Sequence, residues 1–217
     1  MEPGTLNIGT IRLHAILDVD VAAAHGWRPH DLARAFLDGG AQLIQLRAKH
    51  LPSGVFLALC DAMAAAAAPY RCAVIVNDRV DLAAMSGAAG VHVGQDDVLP
   101  AAARRLLGDR AIVGYSTHTT AQIEAAVQEP ISYLAIGPVF GTRTKDTGYD
   151  AVGLGRVGEA ARLSGGLPVV AIGGITLETA PQVIAAGATG VAVITDLLAG
   201  GDPRARLAAF NRTLGRR

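Results

Sequence analysis

Short apolar runs rich in β-branched residues recur along the chain and alternate with segments of helical periodicity. The runs predict eight strands, at residues 12–18, 42–47, 73–77, 90–93, 111–115, 133–137, 169–172 and 190–194. Between them, apolar residues spaced three and four apart predict helices, among them residues 31–37, 54–66, 121–127, 155–163 and 177–186. Regular alternation of strand and helix predicts βα units and a parallel sheet.

Eight βα units are the number that closes into a barrel, so we predict a single α/β domain, a (β/α)₈ TIM barrel over residues 1–217. Gly-Ala pairs at 40–41, 87–88 and 187–188 precede three of the strands. We expect each glycine to end the preceding helix with a positive φ. A doubly wound open sheet is the competing architecture.

Charge and cysteine content narrow the class of protein. Lys and Arg number 19 and Asp and Glu number 19, so no broad electrostatic footprint for nucleic acid is expected. Cys60 and Cys72 form no C-x-x-C pair; we expect them in the core, and they give no sign of an oxidising compartment. No secretory leader is visible, and the apolar run 62–68 is too short to cross a membrane. We therefore expect a cytoplasmic protein without a membrane or nucleic-acid partner, and we leave homo-oligomerisation open.

Polar residues and glycines collect where the predicted strands end, which is where barrels of this kind carry their chemistry. In strand order they are Asp18; Gln45, Arg47 and Lys49; Asn77 and Asp78; Asp96 and Asp97; Ser116 and His118; Thr142, Thr144 and Lys145; Gly173 and Gly174; and Ile194 and Thr195. Taken singly, each has an ordinary explanation; Asp78 or Ser116, for example, would suit a helix cap. Their concentration on one rim favours a binding site.

The rim divides into two anion-binding regions. Backbone N–H groups at Gly173-Gly174, with Thr195 on the next strand, suit a phosphate monoester. The opposite region mixes Arg47, Lys49 and Lys145 with carboxylates. Carboxylates repel a diphosphate unless they hold Mg²⁺, which binds through one or two carboxylates and substrate phosphates.

Six segments together resemble the thiamine phosphate synthase family, in that family's order and spacing: residues 45–49, 77–79, 90–97, 114–119, 137–145 and 171–175. The resemblance implies condensation of 4-amino-2-methyl-5-hydroxymethylpyrimidine diphosphate with 4-methyl-5-(2-phosphoethyl)thiazole, or its carboxylated form. The products are thiamine phosphate and diphosphate.

The resemblance also implies roles for individual residues. Asp78 and Asp97 match the Mg²⁺ ligands, and Asp97 fits the spacing better than Asp96. Arg47, Lys49, Ser116 and Lys145 match the catalytic groups. The substrate contacts are matched by Gln45, Arg47, Lys49, Asn77, Ser116, Thr142, Thr144, Lys145, Gly174, Ile194 and Thr195. The chain departs from common family residues at His14, Ala48, Gly141 and Thr195.

The family chemistry is a dissociative substitution, in which diphosphate leaves before the thiazole nitrogen attacks. This needs no general base, which agrees with the lack of an evident Ser/His/Asp or Cys/His set. The alternatives are a thiazole tautomerase, in which His118 would transfer a proton, a non-catalytic phosphate-binding barrel, and a sugar-phosphate isomerase or epimerase. The set Arg47, Lys49, Asp78, Asp97 and Lys145 favours the synthase.

Overall fold

Eight parallel strands close on themselves in sequence order in the computed structural model, which describes residues 7–141 and 148–215. The strands are β1 (Leu13–Asp18), β2 (Leu43–Arg47), β3 (Ala73–Asn77), β4 (Gly90–Val93), β5 (Ile112–Thr117), β6 (Tyr133–Ile136), β7 (Val169–Ile172) and β8 (Gly190–Val193). Each pairs with the next, and β1 also pairs with β8, aligning His14 with Ala192. The predicted barrel is confirmed, and the open sheet is wrong.

Nine α-helices connect or flank the strands within the described residues. They are α1 (Val19–Ala24), α2 (Pro29–Asp38), α3 (Ser53–Ala67), α4 (Val80–Met85), α5 (Pro100–Leu107), α6 (Thr120–Ala126), α7 (Gly153–Leu163), α8 (Ala180–Ala185) and α9 (Pro203–Thr213). The five predicted helices are present with shifted ends. The ranges read from the pattern do not include α1, α4, α5 or α9.

The alternative explanation of Ser116 and Asp78 as helix caps does not hold. Ser116 lies on β5 and caps nothing; α6 is instead capped by the Thr119 side chain, with Gln122 completing a capping box. Asp78 lies in the left-handed region at φ 63°, and the helix after it begins beyond Arg79 without a side-chain cap. Neither side chain therefore caps the helix that follows it.

The core consists of two layers. A large outer cluster fills the space between the strands and the helices. A smaller inner cluster fills the barrel from its N-terminal end, where Ile8, Ile11, Leu43, Ile75 and Ile112 are buried. Large side chains thus close that end, while Ala135 and Ala192 leave room toward the strand C-termini. The packing places any cavity at the predicted catalytic rim.

The glycine expectation holds at two of three pairs. Gly40 has φ 88° and Gly187 has φ 114°, as a turn out of α2 or α8 requires, whereas Gly87 is not among the glycines with positive φ.

The cysteines and one apolar helix bear on the class of protein. Cys60 and Cys72 are free and buried, as expected. The segment Ser53–Tyr70 is long and apolar enough to cross a membrane by length and composition alone. This is weak evidence for a span, because the core helix of a soluble protein meets the same criterion. Phe56, Leu59 and Cys60 on this helix are indeed buried in the outer cluster.

Candidate active site

A cavity of about 390 Å³ opens at the C-terminal ends of the strands. Its walls include inward-facing side chains from β1 to β8 and the loops after β7 and β8. Seven of the predicted contact residues line it: Gln45, Arg47, Asn77, Ser116, Gly174, Ile194 and Thr195. Thr142, Thr144 and Lys145 lie outside the described residues.

Arg47 is held in the cavity wall by Asp18. The Arg47 Nη1 group donates to Asp18 Oδ2, and the Asp18 carboxylate is 2% exposed. Asp18 Oδ1 also accepts from the backbone N–H groups that begin α1, at 3.0 and 3.1 Å. Arg47 Nε is buried without a hydrogen-bond partner among the described residues. The Nη1 end of the guanidinium is therefore fixed in the wall of the cavity.

Lys49, Asp78 and Asp97 form a cluster beyond the C-terminal ends of β2, β3 and β4, and they are not among the residues that line the cavity. Lys49 Nζ forms an ion pair with Asp78 Oδ2. Burial raises the pKa of Asp97, and a hydrogen bond to Asp78 and its negative charge raise it further; the Gly94 N–H, 2.7 Å from Asp97 Oδ2, opposes this. Asp96 beside it is exposed. The structure thus brings Asp78 together with Asp97, as the family spacing predicts.

The opposite wall is the glycine turn after β7. Gly173 and Gly174 have φ values of 104° and 63°. A Cβ on Gly173 would lie 2.6 Å from Pro138, and a Cβ on Gly174 would lie 2.7 Å from the Gly141 carbonyl oxygen. Only glycine fits both the φ and the close approach, and both residues line the cavity.

An ion-pair network joins this wall to the loop after β8. Asp196 accepts from the Leu177 N–H at 3.0 Å and pairs with Arg206 of α9 at 2.8 Å. Arg206 also pairs with Glu178 at 3.3 Å. These contacts hold Thr195 and the glycine turn on the same side of the cavity. Sequence reasoning missed Asp196 and Arg206 because the pair spans two units of the barrel.

A row of buried polar side chains lies deeper in the barrel. His92 Nε2 is 2.8 Å from Ser116 Oγ, and His92 Nδ1 is 2.9 Å from the Tyr133 hydroxyl. His14 packs edge-on against Tyr133, with ring centroids 5.1 Å apart. This row contains a hydrogen-bonded serine and histidine, but its third member is a tyrosine, so it is not a Ser/His/Asp set. The alternation of inward and outward side chains along a strand would have indicated this row, because these positions all face inward.

His118 lies on the same rim. Its Nδ1 is 2.6 Å from the Gly137 carbonyl oxygen, and its ring stacks on Tyr149 at a centroid distance of 4.1 Å. Gln122 donates to the Tyr149 hydroxyl at 3.2 Å. Through these contacts, His118 joins the ends of β5 and β6 to residues near the start of α7.

This chain is similar in sequence to known proteins of one family. The family model described as thiamine monophosphate synthase matches residues 19–197. The thiamine-phosphate synthase of Koribacter versatilis (strain Ellin345) is 41% identical over 208 residues, covering 94% of this chain and 95% of its own. That of Roseiflexus castenholzii (strain DSM 13941 / HLO8) is 41% identical over 180 residues, covering 83% and 78%.

Among solved structures, thiamine phosphate pyrophosphorylase from Pyrococcus furiosus superposes with a TM-score of 0.85 at 27% identity, covering 95% of this chain and 96% of its own. Fold and sequence therefore agree, and the resemblance drawn from the motifs is confirmed. The chain is an enzyme that belongs to the thiamine monophosphate synthase family.

Proposed function

We propose that this chain condenses 4-amino-2-methyl-5-hydroxymethylpyrimidine diphosphate with 4-methyl-5-(2-phosphoethyl)thiazole, or its carboxylated form, to give thiamine phosphate and diphosphate. The observation that carries this is the pair of carboxylates beside a lysine at the C-terminal ends of β2 to β4, on the same rim as the cavity that the glycine turn lines. A site for one phosphate alone has no use for this pair. The comparisons do not favour a thiazole tautomerase or a phosphate-binding barrel.

The donor set of this cluster fits Mg²⁺. Asp78 and Asp97 are close enough to share a hydrogen bond, and their proximity disfavours two negative charges unless a cation joins them. Carboxylate oxygens are ligands that Mg²⁺ prefers, and the ion commonly takes the rest from water and substrate phosphates. When bound, Mg²⁺ would neutralise charge that develops on the departing diphosphate. We propose Asp78 and Asp97 as its protein ligands.

The chain's own residues would divide the remaining work. Arg47, fixed by Asp18, and Lys49 would bind the diphosphate with Lys145, while Gln45, Asn77 and Ser116 would hold the pyrimidine diphosphate. Thr142, Thr144, Gly174, Ile194 and Thr195 would hold the thiazole phosphate. Pre-positioned donors of this kind often supply the largest catalytic contribution.

The proposed bond changes need no proton transfer. The bond between the pyrimidine methylene carbon and the diphosphate oxygen breaks, and its electron pair leaves with the diphosphate. The thiazole nitrogen lone pair then forms the carbon–nitrogen bond at the same methylene carbon. The pyrimidine amino group stabilises the intervening cation, so no general base is required.

The direct test mixes the purified protein with both phosphorylated substrates and Mg²⁺ and detects thiamine phosphate and diphosphate by chromatography. The expected products form in equal amounts, and EDTA abolishes them. Absence of both products with correctly folded protein would refute the proposal.

Substitution of the carboxylates tests the metal assignment. Asp78→Ala and Asp97→Ala are each expected to lower turnover by about 100-fold or more, since loss of a major electrostatic contribution costs this much. Asp96→Ala is the matched control, because Asp96 is exposed one residue away, and it is expected to keep near-normal turnover. Circular dichroism checks folding. Mg²⁺-independent, near-normal turnover in the first two variants would contradict the assignment.

We further propose that residues 1–217 act as one catalytic domain in the cytoplasm. The buried free thiols of Cys60 and Cys72 support a reducing compartment.

A further inference from the structure

The Ser116–His92–Tyr133 row joins three strands through the barrel interior. Tyr133 on β6 is 1% exposed, Ser116 on β5 is 6% exposed and His92 on β4 is 7% exposed. All three line the cavity, together with the predicted substrate contacts Gln45 and Asn77. A hydrogen-bonded serine and histidine is the arrangement of a nucleophile and its base, so the direction of these hydrogen bonds decides what Ser116 can do.

Tyr133 fixes that direction. The described residues offer its hydroxyl one hydrogen-bond partner, His92 Nδ1. Burial raises the pKa of Tyr133 far above its ordinary value, so the hydroxyl keeps its proton. A buried O–H without an acceptor is costly. The Tyr133 proton therefore goes to His92 Nδ1, which must be the unprotonated nitrogen.

The role of the other ring nitrogen of His92 follows, because a neutral imidazole has one donor nitrogen and one acceptor nitrogen. With Nδ1 accepting, His92 carries its proton on Nε2 and donates it to Ser116 Oγ. Ser116 Oγ cannot then give its proton to His92. Its O–H is directed elsewhere, and Ser116 faces the cavity.

We propose that His92 and Tyr133 are positioning residues that make the Ser116 hydroxyl a hydrogen-bond donor to the substrate and keep it from acting as a nucleophile. The substrate part of this inference rests on the proposed function. The acceptor would be an electron-rich atom of the pyrimidine diphosphate, either a ring nitrogen or a phosphate oxygen.

The surrounding packing supports a fixed array. A Cβ at Gly114 would lie 2.2 Å from the Tyr133 ring and 2.5 Å from His92 Nδ1. This position on β5, between the two side chains, therefore requires a glycine. The rings of His92 and Tyr133 stack at 5.6 Å, and His14 supports Tyr133 from another side at 5.1 Å. Neither ring can turn without displacing its neighbours.

The first test measures the tautomer directly. Two-bond ¹H–¹⁵N spectra of the ¹⁵N-histidine-labelled enzyme, assigned with His92→Gln, are expected to show His92 neutral and protonated at Nε2. A proton on Nδ1, or on both nitrogens, would overturn the proposal. This measurement needs no substrate, so its outcome is independent of the proposed reaction.

The second test asks whether Tyr133 acts through Ser116. Tyr133→Phe is expected to lower kcat about tenfold, within the range seen when a group that orients a catalytic side chain is lost. In a Ser116→Ala background, the same change is expected to have no further effect, because residues that act as a unit are not additive. Additive losses would indicate a merely structural role and overturn the proposal.

Two controls complete the design. Tyr70→Phe removes a tyrosine hydrogen bond to Asp38 on the outer surface and is expected to leave kcat unchanged. A fluorophosphonate, which labels nucleophilic serines, is expected to leave Ser116 unmodified; labelling of Ser116 would contradict its role as a donor. If no condensation is observed at all, the proposed function fails, while the tautomer measurement still decides the hydrogen-bond direction.

Discussion

His14 shows how far a single buried side chain can shift the behaviour of the fold. It is 1% exposed, and Nε2 lacks a hydrogen-bond partner among the described residues. Burial lowers the pKa of His14 from 6.5 to about 4. Below pH 6.5, His14 therefore binds a proton in the unfolded chain but not in the folded chain. The free energy of unfolding falls for this reason as the pH drops toward 4.

This predicts an acid sensitivity that depends on one residue. Between pH 7 and pH 4 the wild type is expected to lose about 3 kcal/mol of stability through His14, at 1.36 kcal/mol for each pKa unit. His14→Phe is expected to lack this loss, whereas the exposed control His30→Gln retains it. Urea unfolding at several pH values measures the difference. Parallel stability curves for wild type and His14→Phe would contradict the assignment.

At the residue scale, prediction from sequence worked where position along one strand was enough. Arg47, Asn77 and Ser116 follow from the rule that parallel barrels gather polar groups at strand C-termini. Asp18 and Tyr133 were not assigned roles, because those roles depend on contacts across strands. Sequence order does not reveal that Asp18 meets Arg47 or that Tyr133 meets His92.

At the scale of elements, two glycines show how a strand contact differs from an exposed helix surface. A Cβ on Gly90 of β4 would lie 1.9 Å from the Ile112 carbonyl oxygen of β5, with backbone that cannot yield. Gly155 in α7 is exposed, with nothing within 4 Å of an added Cβ. The same substitution should therefore act in opposite directions at the two positions.

Gly90→Ala is expected to lose several kcal/mol or to prevent folding, by steric strain in the sheet. Gly155→Ala is expected to gain about 1 kcal/mol, the helix-propensity difference between glycine and alanine, which raises Tm by about 2–4 °C. Thermal unfolding followed by circular dichroism compares them. A stable Gly90→Ala barrel would show that β4 and β5 can separate at this point.

Element prediction succeeded for strands and was less complete for helices. Parallel strands covered on both sides read as continuous apolar runs, so all eight were found. The end of β5 was placed too early because Ser116 and Thr117 are polar. They lie on the strand nevertheless, with Ser116 facing the cavity and Thr117 donating to the Ala135 carbonyl oxygen at 2.8 Å.

At the scale of the whole molecule, the reactivity of the two cysteine thiols measures how cooperatively the barrel unfolds. Burial raises the pKa of Cys60 to about 11 and that of Cys72 to about 12. Because the thiolate is the reactive form, neither side chain should alkylate at pH 8 while the barrel is folded. Both should react fully once it unfolds.

Iodoacetamide labelling followed by mass spectrometry tests this. Native protein is expected to remain unlabelled over a time that labels the urea-unfolded chain completely. As urea is added, both thiols should become reactive together, since they lie in one core cluster. Earlier labelling of Cys60 alone would instead show that α3 opens by itself.

The pairing of β1 with β8 has a consequence for synthesis on the ribosome. β1 emerges early, yet its partner along one edge is the last strand to be made. Until then the nascent chain carries an unpaired strand edge, which is a template for association with other chains. Translation speed over the final βα unit and protection by ribosome-associated chaperones should therefore govern the yield of this enzyme more than the stability of its finished barrel.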